Sequence, residues 1–458
     1  MRRVLLTSVL LMPFLLYGQI PNTFTDVEKI YGLSTIWKEV EYNFAYFEKI
    51  GTQNWDSLYK IMIPRVLNTK NDYDYYRELS FFMAFLKDGH THVGRYPNVD
   101  RYTTVYKGFL IEFGRIEGKV IVTRINTSKK DSIPLGSELL EVNGLSTEEY
   151  LSKNVKPYIS ASTDQSRDEE AVFFIMDGLP GMEYSIKIRT PNNEIKTYKL
   201  VHGNLGEKFP PNAVPEIKAK KRVEFKWFDR KIAYIAINSF EDTTIINAFK
   251  KLLPELYKAE KLILDIRENT GGNSEIGFEI LKYFSEDKYL YTHYSRSRKH
   301  IAHAKGNGSY ISSKDTTGSE WKKEAFLDFN NKLYTDDKYV PYLNDLKDKR
   351  ILVPTLVLIG KKTISAGEDF LIPLKRIRHI KTMGETTSGS TGTLYEIKLP
   401  GSRAYICGLQ SFYPDGSEYV GIGIAPDIEI KRTKRGIIDM EDEVLNYAVK
   451  YLNKVDSK

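Results

Sequence analysis

The chain has 458 residues, enough for two to four domains of ordinary size. Hydrophobic residues at 41% and charged residues at 28% exclude a disordered or low-complexity protein. The 67 basic and 60 acidic side chains leave a net charge of +7 but no basic arm of the kind nucleic-acid binders carry, and a single cysteine, Cys407, excludes an internal disulfide.

In chain order, Arg2-Arg3, an apolar run through Leu16 and the small residue Gly18 have the pattern of a secretory signal peptide over residues 1–18. The run is too short for a membrane span, and nothing later is transmembrane in character, so the mature protein is expected to be exported without stable membrane insertion. Residues 23–99 carry a helical period. Leu33, Trp37, Val40, Phe44 and Phe47 form one apolar stripe, and two further stripes run through Trp55 to Val66 and Tyr75 to Leu86. A small helical bundle is predicted, ending at Asp88-Gly89-His90-Thr91-His92.

Over residues 102–203 the period changes to two. Residues 119–125 read as a strand, and 182–189 with 195–201 as a hairpin around Pro191-Asn192-Asn193. Tyr106-Lys107-Gly108-Phe109-Leu110 opens this stretch, and Leu139-Leu140-Glu141-Val142-Asn143-Gly144 follows a glycine-led turn. The stretch resembles a PDZ domain, a fold that binds peptide ends by strand addition or braces a neighbour. Residues 220–458 alternate strands (232–237, 262–266) with helices (245–257, 275–284), which predicts a largely parallel sheet covered by helices. Residues 285–349 lack clear periodicity and read as an insertion on its rim.

In this last region an apolar strand, 351–359, runs into Thr363-Ile364-Ser365-Ala366-Gly367-Glu368 and then a helix. A serine at such a turn sits beside outward-pointing backbone N–H groups, where a nucleophile and an oxyanion site can share one corner. The alternative is a capping box, Ser365 with Glu368 three residues on. The G-x-S-x-G elbow is absent, which weakens a lipase-like reading.

Four segments occur in order: Asp265-Ile266-Arg267-Glu268-Asn269-Thr270-Gly271-Gly272, then Ser365-Ala366-Gly367-Glu368, then Gly384-Glu385-Thr386-Thr387-Ser388-Gly389, then Gly421-Ile422-Gly423-Ile424-Ala425-Pro426-Asp427. Together they resemble the tail-specific (C-terminal processing) protease family of serine peptidases. That resemblance implies a multidomain α/β fold: a crotonase-like or ClpP-like protease core with an N-terminal helical bundle and a PDZ-like β domain. It implies Ser365 as nucleophile and an oxyanion hole from the N–H of Ala366 with that of Gly271 or Gly272; Asp265 and Arg267 read as a structural pair. It implies a protein or peptide substrate and no cofactor, and leaves the oligomeric state open. The lysine base of one branch is missing, because Ser390 follows Gly389. The branch similar to the tricorn core uses a histidine from the N-terminal region instead, which points to His90, with His92 a neighbour. Ser390→Ala is therefore expected to keep hydrolysis. Glu418 is the candidate to orient His90, and Gly89 stands where that branch has a serine. A catalytically silent protein that binds peptides or apolar ligands is the rival reading. His293, His300 and His303 have no acidic or cysteine partner at ligand spacing, so no metal is expected.

Overall fold

The computed structural model describes residues 22–94, 96, 105–106, 109–202, 212–216, 220–228 and 231–454. The expected signal peptide lies outside them, as do Lys107 and Gly108.

At the centre is a six-stranded sheet in the order Val223–Trp227, Ile232–Ile237, Lys261–Asp265, Thr355–Ile359, Ile380–Gly384, Ile428–Glu429. The first pair is antiparallel and the other pairs are parallel. The Ile232–Ile237, Lys261–Asp265 and Thr355–Ile359 strands are buried at every position, as strands covered on both faces must be. Ile232, Ile263, Leu356 and Leu358 face one way, against Val444, Leu445, Ala448 and Leu452 of the helix Glu443–Lys454. Ala233, Ile235, Leu262, Leu264 and Val357 face the other, towards the helices Thr244–Leu256 and Ser274–Leu281. This alternation is the period-two geometry of a strand.

That second core continues without a break into the helices Asp26–Asn43, Thr52–Leu67 and Asp72–Ala84, through Leu33, Val40, Trp55, Leu79 and Phe82. A two-residue strand, His92–Val93, then pairs with the hairpin Leu394–Leu399/Ser402–Cys407, His92 facing Tyr405. A separate eight-stranded sheet spans Val105–Tyr106 to Ala213–Val214 and has its own core, including Val122, Val142, Ile186 and Ile188. Its helix Asp164–Phe173 packs beside the strand Phe109–Ile116.

The stretch 285–349, aperiodic by sequence, is ordered into two helices, Ala302–Gly308 and Glu320–Phe329, and several short strands. Its strand Tyr294–Arg298 pairs with Gln410–Phe412, more than a hundred residues later. Such short elements, paired over long distances, leave little local pattern to read.

Candidate active site

Lys261–Asp265 and Thr355–Ile359 are neighbours in register, and their carboxyl ends lead to Gly271-Gly272 and to Ser365. A crevice at the carboxyl ends of parallel strands is where α/β proteins place ligands. Ser365 has φ 58° and ψ −127°. A non-glycine residue held there stores about 1–3 kcal/mol of backbone strain. Three bonds hold the turn: the Ser365 N–H donates to Ser390 C=O (2.9 Å), the Ile364 N–H to Asn269 C=O (3.1 Å) and the Glu368 N–H to Ser365 C=O (2.7 Å).

The capping alternative is overturned. Ser365 begins a four-residue helix, Ala366–Asp369, but its side chain makes no capping bond. The Glu368 carboxylate accepts instead from the Thr387 hydroxyl (2.5 Å), the Gly389 N–H (2.7 Å) and the Ser390 N–H (2.8 Å). Burial pushes its carboxyl up to about 8, against the pull of those donors.

Gly271 and Gly272 have φ of +99° and +134°. A Cβ on Gly271 would lie 2.7 Å from Ser365 Cβ and 3.1 Å from Ala366 N, and one on Gly272 would lie 2.2 Å from Phe240 O. Only glycine fits either place. The Gly271 N–H already donates to Asn269 Oδ1 at 2.9 Å, whereas those of Gly272 and Ala366 have no hydrogen-bond partner among the described residues. Asn269 itself is fully buried and donates to Ile237 C=O at 3.1 Å, fixing the glycine turn to the next strand.

His90 meets Ser365 across 275 residues of sequence: Nε2 lies 3.2 Å from Ser365 Oγ. Its turn is set by Asp88, whose Oδ1 accepts from the His90 N–H (3.1 Å) and the Thr91 hydroxyl (2.7 Å). The Thr91 oxygen in turn accepts the Cys407 N–H at 3.0 Å, which ties the turn to the hairpin. His90 is buried, and burial pulls its imidazole below the usual histidine range, while Asp88 and Asp369 act the other way. Burial raises the Asp88 carboxyl, with His90 opposing.

Two expectations are corrected. Glu418 does not reach His90. It is exposed, with Oε1 3.7 Å from Lys49 Nζ. Adjacent residues of extended chain face opposite sides, and here the inward one is Tyr419, whose hydroxyl donates to Asp369 at 2.9 Å. Nor is Ser390 a bystander: its Oγ lies 2.7 Å from His90 Nδ1. Sequence reasoning passed over Asp88, Glu368 and Ser390 as parts of the site. Ser390 carried a signal, since it directly follows a motif segment.

Asp265 and Arg267 form the expected brace. Arg267 Nη2 lies 2.7 Å from Asp265 Oδ2 and also holds Asp442, and Tyr234 donates to Asp265 at 2.8 Å. His92 packs beside Tyr405, with ring centroids 5.2 Å apart and planes tilted by 39°. His293, His300 and His303 lie apart, beside Asp369, Tyr42 and Asn307 respectively. Among the described residues no three metal-binding side chains cluster, and no helix is long and apolar enough to cross a membrane.

A strained serine at the end of a parallel strand, an imidazole on its hydroxyl and backbone donors beside it thus meet in a mixed α/β fold. The comparisons with known proteins agree: the model of Peptidase family S41 matches residues 231–430. The chain is 23% identical over 340 residues to carboxy-terminal processing protease CtpB of Bacillus subtilis (strain 168), covering 73% of this chain and 57% of that protein. It is 23% identical over 297 residues to a carboxyl-terminal-processing protease of Picosynechococcus sp., covering 63% and 65%. The match thus spans less than two thirds of either relative's length. The crystal structure of mature CPAF superposes with a TM-score of 0.68 at 16% identity, over 94% of this chain and 99% of that one. The likeness to Peptidase family S41 thus lies in residues 231–430, the part of the chain that carries Ser365 and the glycine turn.

Proposed function

We propose that this protein is an exported serine endopeptidase acting on proteins or peptides. Ser365 Oγ attacks the substrate carbonyl while its proton passes to His90 Nε2. The carbonyl electron pair moves onto oxygen, where the N–H groups of Ala366 and Gly272 receive the charge. His90 then returns the proton to the leaving amine as the C–N bond breaks, and water repeats the sequence to release the acyl group. The observation that carries this reading is the 3.2 Å approach of His90 Nε2 to a strained Ser365.

The eight-stranded unit is read as PDZ-like, presenting a substrate segment to the cleft, and the three leading helices as the bundle that delivers the base. A cavity of about 570 Å³ beside Gly89, lined among others by Tyr73, Arg77, Tyr150, Tyr158 and Glu170, offers substrate side chains room near the base. Export rests on the leader pattern of residues 1–18.

The test is labelling with a fluorophosphonate together with hydrolysis of an unstructured protein substrate. Ser365→Ala is expected to lose labelling and at least about a thousandfold in turnover with an unchanged melting temperature. His90→Ala is expected to lose turnover similarly. An unlabelled, inactive wild type would make the chain a peptide-binding protein instead.

A further inference from the structure

We propose that Ser390 is the positioning residue of the imidazole, so that a hydroxyl does in this chain what the Glu418 carboxylate was expected to do. The inference rests on the peptidase reading for its consequence in turnover, but on geometry for its content. For His90 Nε2 to accept a proton from Ser365, the neutral ring must carry its own proton on Nδ1. The partner of Nδ1 is Ser390 Oγ at 2.7 Å, buried, and no carboxylate lies within hydrogen-bond reach of that nitrogen among the described residues. The Nδ1–H donates to Ser390 Oγ and stays there throughout. The proton that travels is the one shared by Ser365, Nε2 and the leaving nitrogen, and none leaves Ser390.

Three features fix this hydroxyl. The Ser390 N–H is held by Glu368 at 2.8 Å, and its C=O accepts the Ser365 N–H at 2.9 Å, so one residue sets the nucleophile's backbone and the base's ring together. The loop on its N-terminal side is clamped from the β unit, where Ser166 and Thr163 hydroxyls donate to Ser388 C=O at 2.8 and 3.1 Å. Across the ring, Gly89 leaves the space open: a Cβ there would lie 2.8 Å from Ser390 Oγ. The absence of a side chain at 89 and the presence of a hydroxyl at 390 are thus one arrangement. Any larger residue at 89 would displace the group that holds His90.

The test compares wild type, Ser390→Ala and Ser390→Thr, full length. Ser390→Ala is expected to lower kcat about 10–100-fold with KM unchanged, the range of one hydrogen bond made to a group that charges during the reaction. The acid limb of its kcat/KM profile is expected to move to lower pH, since the imidazolium loses an acceptor. Ser390→Thr, which keeps the hydroxyl, is expected to recover most of the rate. In parallel, nitrogen NMR of histidine-labelled protein reads the ring without turnover: the wild type is expected to hold the Nδ1–H form, and Ser390→Ala to show a mixture of both tautomers. Wild-type kcat in Ser390→Ala, or an unchanged tautomer, overturns the assignment. So does a drop in melting temperature with no change in the acid limb and no recovery in the threonine variant. A wild type that hydrolyses nothing yet holds the Nδ1–H form only until Ser390 is replaced overturns the peptidase reading and leaves this one standing.

Discussion

From its own hexapeptide, the proposed nucleophile Ser365 is legible only when its backbone is known. The hexapeptide around it fits a capping box equally well, because Ser-x-x-Glu is what both require. What separates the two is φ 58°, a conformation a capping serine never needs. Gly271 and Gly272 were readable only through their place in the four-segment order, since a glycine pair at a strand end also makes an ordinary turn. Gly271→Ala places a methyl group 2.7 Å from Ser365 Cβ at φ +99°; it is expected to cut kcat by about 10²–10³-fold and to lower stability by about 1–3 kcal/mol, measured by peptide hydrolysis and denaturant unfolding. Glu418→Ala is expected to change kcat less than about twofold, because the carboxylate is exposed and its ion pair with Lys49 is a surface one. The base must be neutral to work. As burial holds the His90 imidazole below the usual value of about 6.5, activity is expected to rise with pH along a limb lying on the acid side of that value, read from a kcat/KM profile.

Among elements, the parallel sheet announced itself through strands of unbroken apolar residues, and the helices through stripes at spacings of three and four. The rim segment did not, because its helices are short and its strand Tyr294–Arg298 finds partners at Gln410–Phe412. The loop 387–390 was equally silent. It has no regular hydrogen bonding of its own and takes its shape from Glu368 on one side and Ser166 on the other. Glu368→Gln would leave at least one buried N–H facing another donor. A loss of about 1–3 kcal/mol in stability is expected, with turnover falling further than stability alone accounts for, since Ser390 moves with the loop. Matched unfolding and kinetic measurements separate the two effects.

At the scale of the whole molecule the core is shared: the leading helices and the face of the central sheet bury one continuous apolar cluster. The family match at residues 231–430 therefore outlines less than a working unit. A chain beginning at residue 220 is expected to expose that face, to bind a hydrophobic dye such as ANS strongly and to hydrolyse nothing, whereas the full chain does neither of the first two and retains turnover. The resemblance already paired His90 with Ser365, and the two lie 3.2 Å apart; what the sequence did not show is how the chain's two ends are held together, by a two-residue strand and one threonine hydroxyl.

That strand has a consequence in time. The imidazole is synthesised 275 residues before its hydroxyl and docks on a hairpin made later still. On the peptidase reading, a ribosome delivering this protein thus releases base and nucleophile on separate stretches of chain, and cutting power waits until the late hairpin meets the first helices.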